Sequence, residues 1–198
     1  AKTLFPYTTL FRSFLRHHRR DERRRAARHR RRPSARPTIQ TEAAHSAFAL
    51  WKDKTPQERG AYLHAWEQAI RANLEDLARL LTLEEGKPLA EARAEILQGA
   101  SYFPWYAEEA RRVSGEVVPA FRQGVQALTR HAPLGVAVAI TPWNFPMATA
   151  AWKIAPALAF GNAVVFKPAN LVPASAWALT EIISRQGLPN GTFNLVMG

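Results

Sequence analysis

From Thr41 onward, apolar residues recur first at helical and then at strand spacing. Residues 43–51 form a short apolar helix, and Thr55-Pro56-Gln57-Glu58 is a capping box with proline at the first helical position, opening a helix towards Arg71. Residues 74–85 repeat apolar positions at helical spacing and stop at Gly86, with Lys87-Pro88 beyond as a C-terminal signal. A further helix over residues 89–112 is expected to bend near Pro104. The period then shortens. Residues 116–119 and 125–131 are β-prone runs suited to a hairpin, and residues 135–140, Gly-Val-Ala-Val-Ala-Ile, have the unbroken apolar character of a strand buried on both faces. A helix over residues 146–160 closed by Gly161-Asn162, a strand over 163–167, a helix over 175–186 and a strand over 192–197 complete a β-α-β-α-β order. The predicted class is α/β: N-terminal helices and a β-hairpin leading into an incomplete doubly wound parallel sheet whose open edge calls for further strands.

Charge divides the 198-residue chain at about residue 40. The net charge is +11, yet residues 1–40 hold 13 Lys and Arg against 2 acidic residues, while residues 41–198 hold 14 of each sign. Residues 16–36 are an arginine run that repels itself and stays solvated, and the opening AKTLFPYTTLFRS resembles translated adapter sequence. Residues 1–40 are therefore read as a disordered, artefactual basic tail, and residues 41–198 as the folded unit. The alternatives are a basic arm for nucleic acid, which the balanced body argues against, and a transit peptide, which Asp21 and Glu22 argue against. No run approaches the roughly 18 apolar residues of a membrane span, so no membrane partner is expected. The chain has no cysteine, which excludes disulfides, a thiolate zinc site and thiol catalysis by these residues, and points to a cytoplasmic setting. His45, His64 and His131 stand apart from any Ser or Asp arrangement, and no metal site is expected.

A G-x-G-x-x-G fingerprint is missing. Instead Thr141-Pro142-Trp143-Asn144-Phe145-Pro146 follows a buried strand and precedes a helix, at the carboxyl end of a strand where open α/β sheets bind ligands. This segment resembles the strand-end motif of the aldehyde dehydrogenase superfamily. Leu83-Glu-Glu-Gly-Lys-Pro88, Trp152-Lys-Ile-Ala-Pro-Ala-Leu158, Gly161-Asn-Ala-Val-Val-Phe-Lys-Pro168 and Leu188-Pro-Asn-Gly-Thr-Phe-Asn-Leu-Val196 are similar to further segments of that family, in its order and spacing, over residues 41–198.

The resemblance implies a Rossmann-like sheet and oxidation of an aldehyde substrate to an acid with NAD or NADP. In the family a cysteine thiolate attacks the aldehyde, an asparagine and a backbone N–H hold the oxyanion, hydride passes to the nicotinamide, and a glutamate activates water. Asn144 takes the asparagine's position, against the alternative of a turn residue between prolines. Ile140, Thr141, Pro142 and Trp143 would line the cofactor groove through their backbone. Lys167 would reach the adenosine ribose, or else be a solvated strand-end lysine. Asn170 stands where the family often has an acidic residue facing the ribose hydroxyls, which leaves NAD against NADP open. Phe145, Thr149 and Trp152 match positions that wall the aldehyde tunnel, with core aromatics as the alternative for Phe145 and Trp152. Lys153 is a family active-site lysine or a helix-surface charge.

The family's cysteine and glutamate are expected in sequence after Gly198, so the chain alone is expected to be an inactive N-terminal fragment of an enzyme that is a homo-oligomer at full length. A non-catalytic partner of a full-length homologue is a further reading. Residues 171–179 are similar to α-ketoglutaric semialdehyde (2,5-dioxovalerate) dehydrogenases, which implies a short semialdehyde carrying a carboxylate. Arg111, Arg112 and Arg122 are read as solvated surface arginines, with pairing to such a carboxylate as the alternative.

Overall fold

The computed structural model describes residues 35–197; the adapter-like opening and nearly all of the arginine run lie outside the described residues. Helix α1 (Ala35–Trp51) begins well ahead of residue 43 and so enters the stretch read as tail. It is followed by α2 (Pro56–Ala72), α3 (Leu74–Glu85) and α4 (Leu89–Glu109). The capping box at α2 forms as written: the Glu58 amide donates to Thr55 Oγ1 at 3.2 Å and the Thr55 amide to Glu58 Oε2 at 2.7 Å. Gly86 closes α3 in the left-handed conformation at φ 87°. Helix α4 runs through Pro104 and ends in a 3-10 turn, Ala110–Arg112.

Two short strands, β1 (Val117–Val118) and β2 (Ala127–Leu128), form the antiparallel hairpin, shorter than the β-prone runs suggest. Then come β3 (Val136–Ile140), α5 (Pro146–Ala159), β4 (Ala163–Lys167), α6 (Pro173–Ser184) and β5 (Phe193–Leu195). The three strands pair in parallel in the order β3-β4-β5. Side-chain alternation divides the sheet's two faces. Ala163 and Val165 pack with Ala44 of α1, while Val164 and Phe166 join the main core beneath α5 and α6. That core continues into the helical layer through Trp66, which meets Phe103 edge-on at 5.7 Å between ring centroids and Phe193 at 6.3 Å.

Helix α5 carries the motif, and other elements secure both of its ends. Its C-terminal carbonyls receive the Trp51 indole N–H at Leu158 (3.1 Å) and the Arg59 guanidinium at Ala159 (2.8 Å), a cation where the helix dipole is negative. At its N-terminus the residue before Pro146 is Phe145, which has no side-chain acceptor. The buried Glu95 of α4 takes that role, accepting from the Met147 amide at 2.8 Å and the Ala148 amide at 3.2 Å. Gly99, one turn beyond Glu95, makes the approach possible, because a Cβ there would lie 3.3 Å from the Met147 carbonyl oxygen.

Candidate active site

The carboxyl ends of β3 and β4 lie side by side, with Ile140 opposite Lys167 and the Thr141 amide donating to the Lys167 carbonyl at 3.2 Å. Residues 141–145 leave β3 here and turn into α5. Thr141 is buried, and among the described residues its Oγ1 has no hydrogen-bond partner. Ile140, Trp143 and Phe145 are exposed beyond it, so large apolar groups stand in solvent where the strand ends.

The structure brings Lys167 and Asn170 together: the Lys167 ammonium donates to Asn170 Oδ1 at 2.9 Å and to the Pro168 carbonyl at 2.8 Å. A half-buried ammonium beside an amide offers both donors and an acceptor, which suits the hydroxyls of a ribose, and no carboxylate stands in that pair. The residues present thus fit the nucleotide end of a dinucleotide.

Asn144 is exposed, and among the described residues its side-chain amide has no protein partner. Its carbonyl oxygen receives the Lys87 ammonium at 3.2 Å. Thr149 is buried, and its hydroxyl donates to the Phe145 carbonyl at 2.6 Å, which ties it beneath the loop. Trp152 is exposed and packs edge-on against Tyr102 at 5.9 Å. Lys153 is exposed one residue on.

The sequence marked Glu85 and Lys87 only as part of a motif and a helix-end signal and Glu95 not at all, yet the three form the charged floor of this loop. The Lys87 side chain is 9% exposed and that of Glu95 1%; the two are in direct contact, and Glu85 lies 3.2 Å from the same ammonium. Burial pulls the Lys87 pKa down, but the hydrogen bonds and charges of Glu95 and Glu85 outweigh it and leave it raised. The Lys87 ammonium also sits 4.5 Å from the centroid of the Phe145 ring. The signal that would have found Glu95 is the missing cap: a helix opening on Phe-Pro needs an acceptor from elsewhere.

Helix α6 repeats the arrangement. Val172 precedes Pro173 and offers no side-chain cap, and Glu84 of α3 accepts from the Ser175 amide at 2.8 Å and from the Ala174 amide. Burial raises the Glu84 pKa against the opposing pull of the Ser175 and Ala174 donors. A carboxyl with a raised folded pKa binds more protons folded than unfolded, so its contribution falls as pH rises from the ordinary carboxyl pKa through the folded one. Stability relative to Glu84→Gln should therefore shift in favour of the parent chain as the pH is lowered through that window. Urea unfolding of both chains across acidic pH checks this, and a difference that does not vary with pH would contradict it.

Arg111 and Arg112 are exposed on the 3-10 turn and pair with Glu108 (3.6 Å) and Glu109, as surface residues do. Arg122 is exposed in the hairpin turn. His64 meets Glu108 at 3.2 Å, and His131 meets the Ser114 carbonyl at 2.9 Å. Among the described residues no three potential ligands gather for a metal, and no helix is long and apolar enough to cross a membrane.

Comparison with known proteins gives this geometry a family. Residues 27–198 match the aldehyde dehydrogenase family. A 3-sulfolactaldehyde dehydrogenase of Pseudomonas putida is 49% identical over 156 residues, 79% of this chain and 32% of that protein. The NADP(+) succinate-semialdehyde dehydrogenase of Escherichia coli is 45% identical over 157 residues, 79% of this chain and 33% of its own. Among solved structures, betaine aldehyde dehydrogenase from Staphylococcus aureus in complex with NAD+ superposes with a TM-score of 0.77 at 36% identity, covering 80% of this chain and 32% of that one. The chain thus spans about a third of the length of the relatives it matches. On the motif, the strand order and these matches, the chain belongs to the aldehyde dehydrogenase family.

Proposed function

We propose that this chain supplies the nucleotide-facing strand ends and the oxyanion-binding asparagine of an NAD(P)-dependent aldehyde dehydrogenase. The observation that carries the reading is the Asn144 side chain, which among the described residues is exposed without a protein partner, in the loop that leaves the carboxyl end of β3 next to the end of β4 that carries Lys167. A bound nicotinamide would supply the hydride acceptor. Lys167 and Asn170 would bind the ribose hydroxyls, and the backbone of Ile140, Thr141, Pro142 and Trp143 would line the groove. The Asn144 amide N–H would donate to the oxygen of the aldehyde as charge builds there. Phe145 and Trp152 would exclude water from one side of the substrate.

The substrate is an aldehyde bearing an anionic group, a reading supported by relatives named for 3-sulfolactaldehyde and succinate semialdehyde. Arg111 and Arg112 pair with glutamates on the surface, the arrangement of solvated arginines. With no cysteine present, these residues alone perform no thiol chemistry, and turnover needs a cysteine-bearing segment.

A chimera tests the proposal: the matching segment of the Escherichia coli enzyme is exchanged for that of this chain, and aldehyde-dependent formation of the reduced nicotinamide is measured. Turnover is expected. Within that chimera Lys167→Ala should raise the KM for the cofactor by about tenfold, the worth of one hydrogen bond to a charged group, and change kcat little. A folded chimera that binds neither NAD+ nor NADP+ would overturn the reading.

A further inference from the structure

We infer that Lys87 is a positioning residue for Asn144: its ammonium, fixed between Glu85 and Glu95, holds the Asn144 carbonyl and thereby sets the direction of the Asn144 side chain. This rests on the proposal that Asn144 serves the oxyanion.

Among the described residues, the Lys87 ammonium is the sole polar contact that Asn144 makes. The loop is otherwise anchored on either side, at Thr141 to the Lys167 carbonyl and at Phe145 to Thr149. Between these anchors a hold on the Asn144 carbonyl fixes the backbone torsions next to it, and with them the frame from which the Asn144 side chain projects. Lys87 is built for that hold. A nearly buried lysine between two glutamates adds little net stability over an apolar substitute, but it fixes geometry. Its principal partner, Glu95, spends its other oxygen on the Met147 and Ala148 amides, so one carboxylate locks the ammonium to the first turn of α5. The Phe145 ring beside the ammonium packs the next residue against the same cation. The exposed tip that carries Asn144 is thus referenced through Lys87 to the helical layer, and a misplacement of about 1 Å at such a group costs on the order of 10²-fold in rate.

The test uses the isotopically labelled full chain and Lys87→Met, with Lys87→Arg as the conservative variant. NMR follows the Asn144 carbonyl carbon and its side-chain amide, with β4 and the hairpin as internal references. The expected result is an upfield shift of the Asn144 carbonyl and more than one set of side-chain amide signals in Lys87→Met. The reference signals should stay in place, and Lys87→Arg should restore a single set. Unchanged Asn144 resonances in Lys87→Met would overturn the inference. If Lys87→Met fails to fold, Lys87→Met combined with Glu95→Gln removes the unpaired charge while keeping an acceptor for α5, and carries the same expectation. Because the readout is not turnover, the two readings separate. Moved resonances with full activity in an Asn144→Ala chimera would sink the oxyanion role alone, and unmoved resonances with lost activity would sink the positioning role alone.

Discussion

Replacing Glu95 by alanine is expected to cost about 3–5 kcal/mol of folding stability, the range for breaking a buried ion pair by removing one partner. The side chain is 1% exposed, and its loss leaves the Lys87 ammonium with Glu85 alone and the Met147 and Ala148 amides without their acceptor. A favourable charge at the positive end of the α5 dipole disappears as well. Glu75 is the control. It makes a bidentate pair with Arg93 at 2.8 Å, a better geometry on paper, but it is exposed and screened by water, and Glu75→Ala should cost far less than Glu95→Ala. Urea midpoints for the two variants at neutral pH decide the matter. Equal losses would mean that water replaces the Glu95 carboxylate, and that α5 does not depend on α4 for its cap.

Asn144→Ala in the Escherichia coli chimera should lower kcat by about 10²–10³-fold, equivalent to the loss of one preorganised donor to a developing oxyanion. The effect belongs in kcat more than in KM, because a donor aimed at charge that exists only in the transition state contributes little to holding the ground-state aldehyde. Stability should barely change, since the side chain is exposed and makes no hydrogen bond among the described residues. A chimera that loses turnover and stability together would point to a turn residue instead, the alternative its two flanking prolines first suggest.

Most of the architecture was legible in the sequence because its signals are local. The strand at 135–140 is an unbroken apolar run, although the burial on both faces that such a run suggests is not found, because β3 is an edge strand here and leaves Val138 and Ile140 exposed; the Thr55 cap is contained in four residues, and Gly86 and Gly161 mark helix ends that both adopt positive φ. Boundaries moved where a local signal was misweighted: α6 starts at Pro173 rather than residue 175, since proline suits the first helical position, and the hairpin strands shrink to two residues each. The charged floor of the site was hidden for a different reason. A glutamate inside a helical stretch has the signature of a solvated face, and nothing near Glu84 or Glu95 in sequence names partners 91 and 52 residues away. The motif segment Leu83–Pro88 was recognisable as a pattern while its work was not: Glu84 caps α6, and Glu85 and Lys87 support the Asn144 loop. Thr149 adds a local detail that its position in a helix explains: a threonine one turn into a helix returns its hydroxyl to the carbonyl four residues earlier, and this one does so beneath the loop.

The dependence of α5 on outside groups at both ends has a consequence for the order in which the chain acquires structure. Its acceptor comes from α4 and its donors from residues 51 and 59, the latter reaching across a separation of 100 residues. All of these leave the ribosome before α5 does. Helices α2, α3 and α4 form from short-range contacts and are therefore quick to appear, whereas β3, β4 and β5 must find one another across intervening helices, which is slow. The early helical layer offers the nascent motif segment a ready-made carboxylate on one side and a guanidinium on the other, so vectorial synthesis presents the template before the element that docks on it.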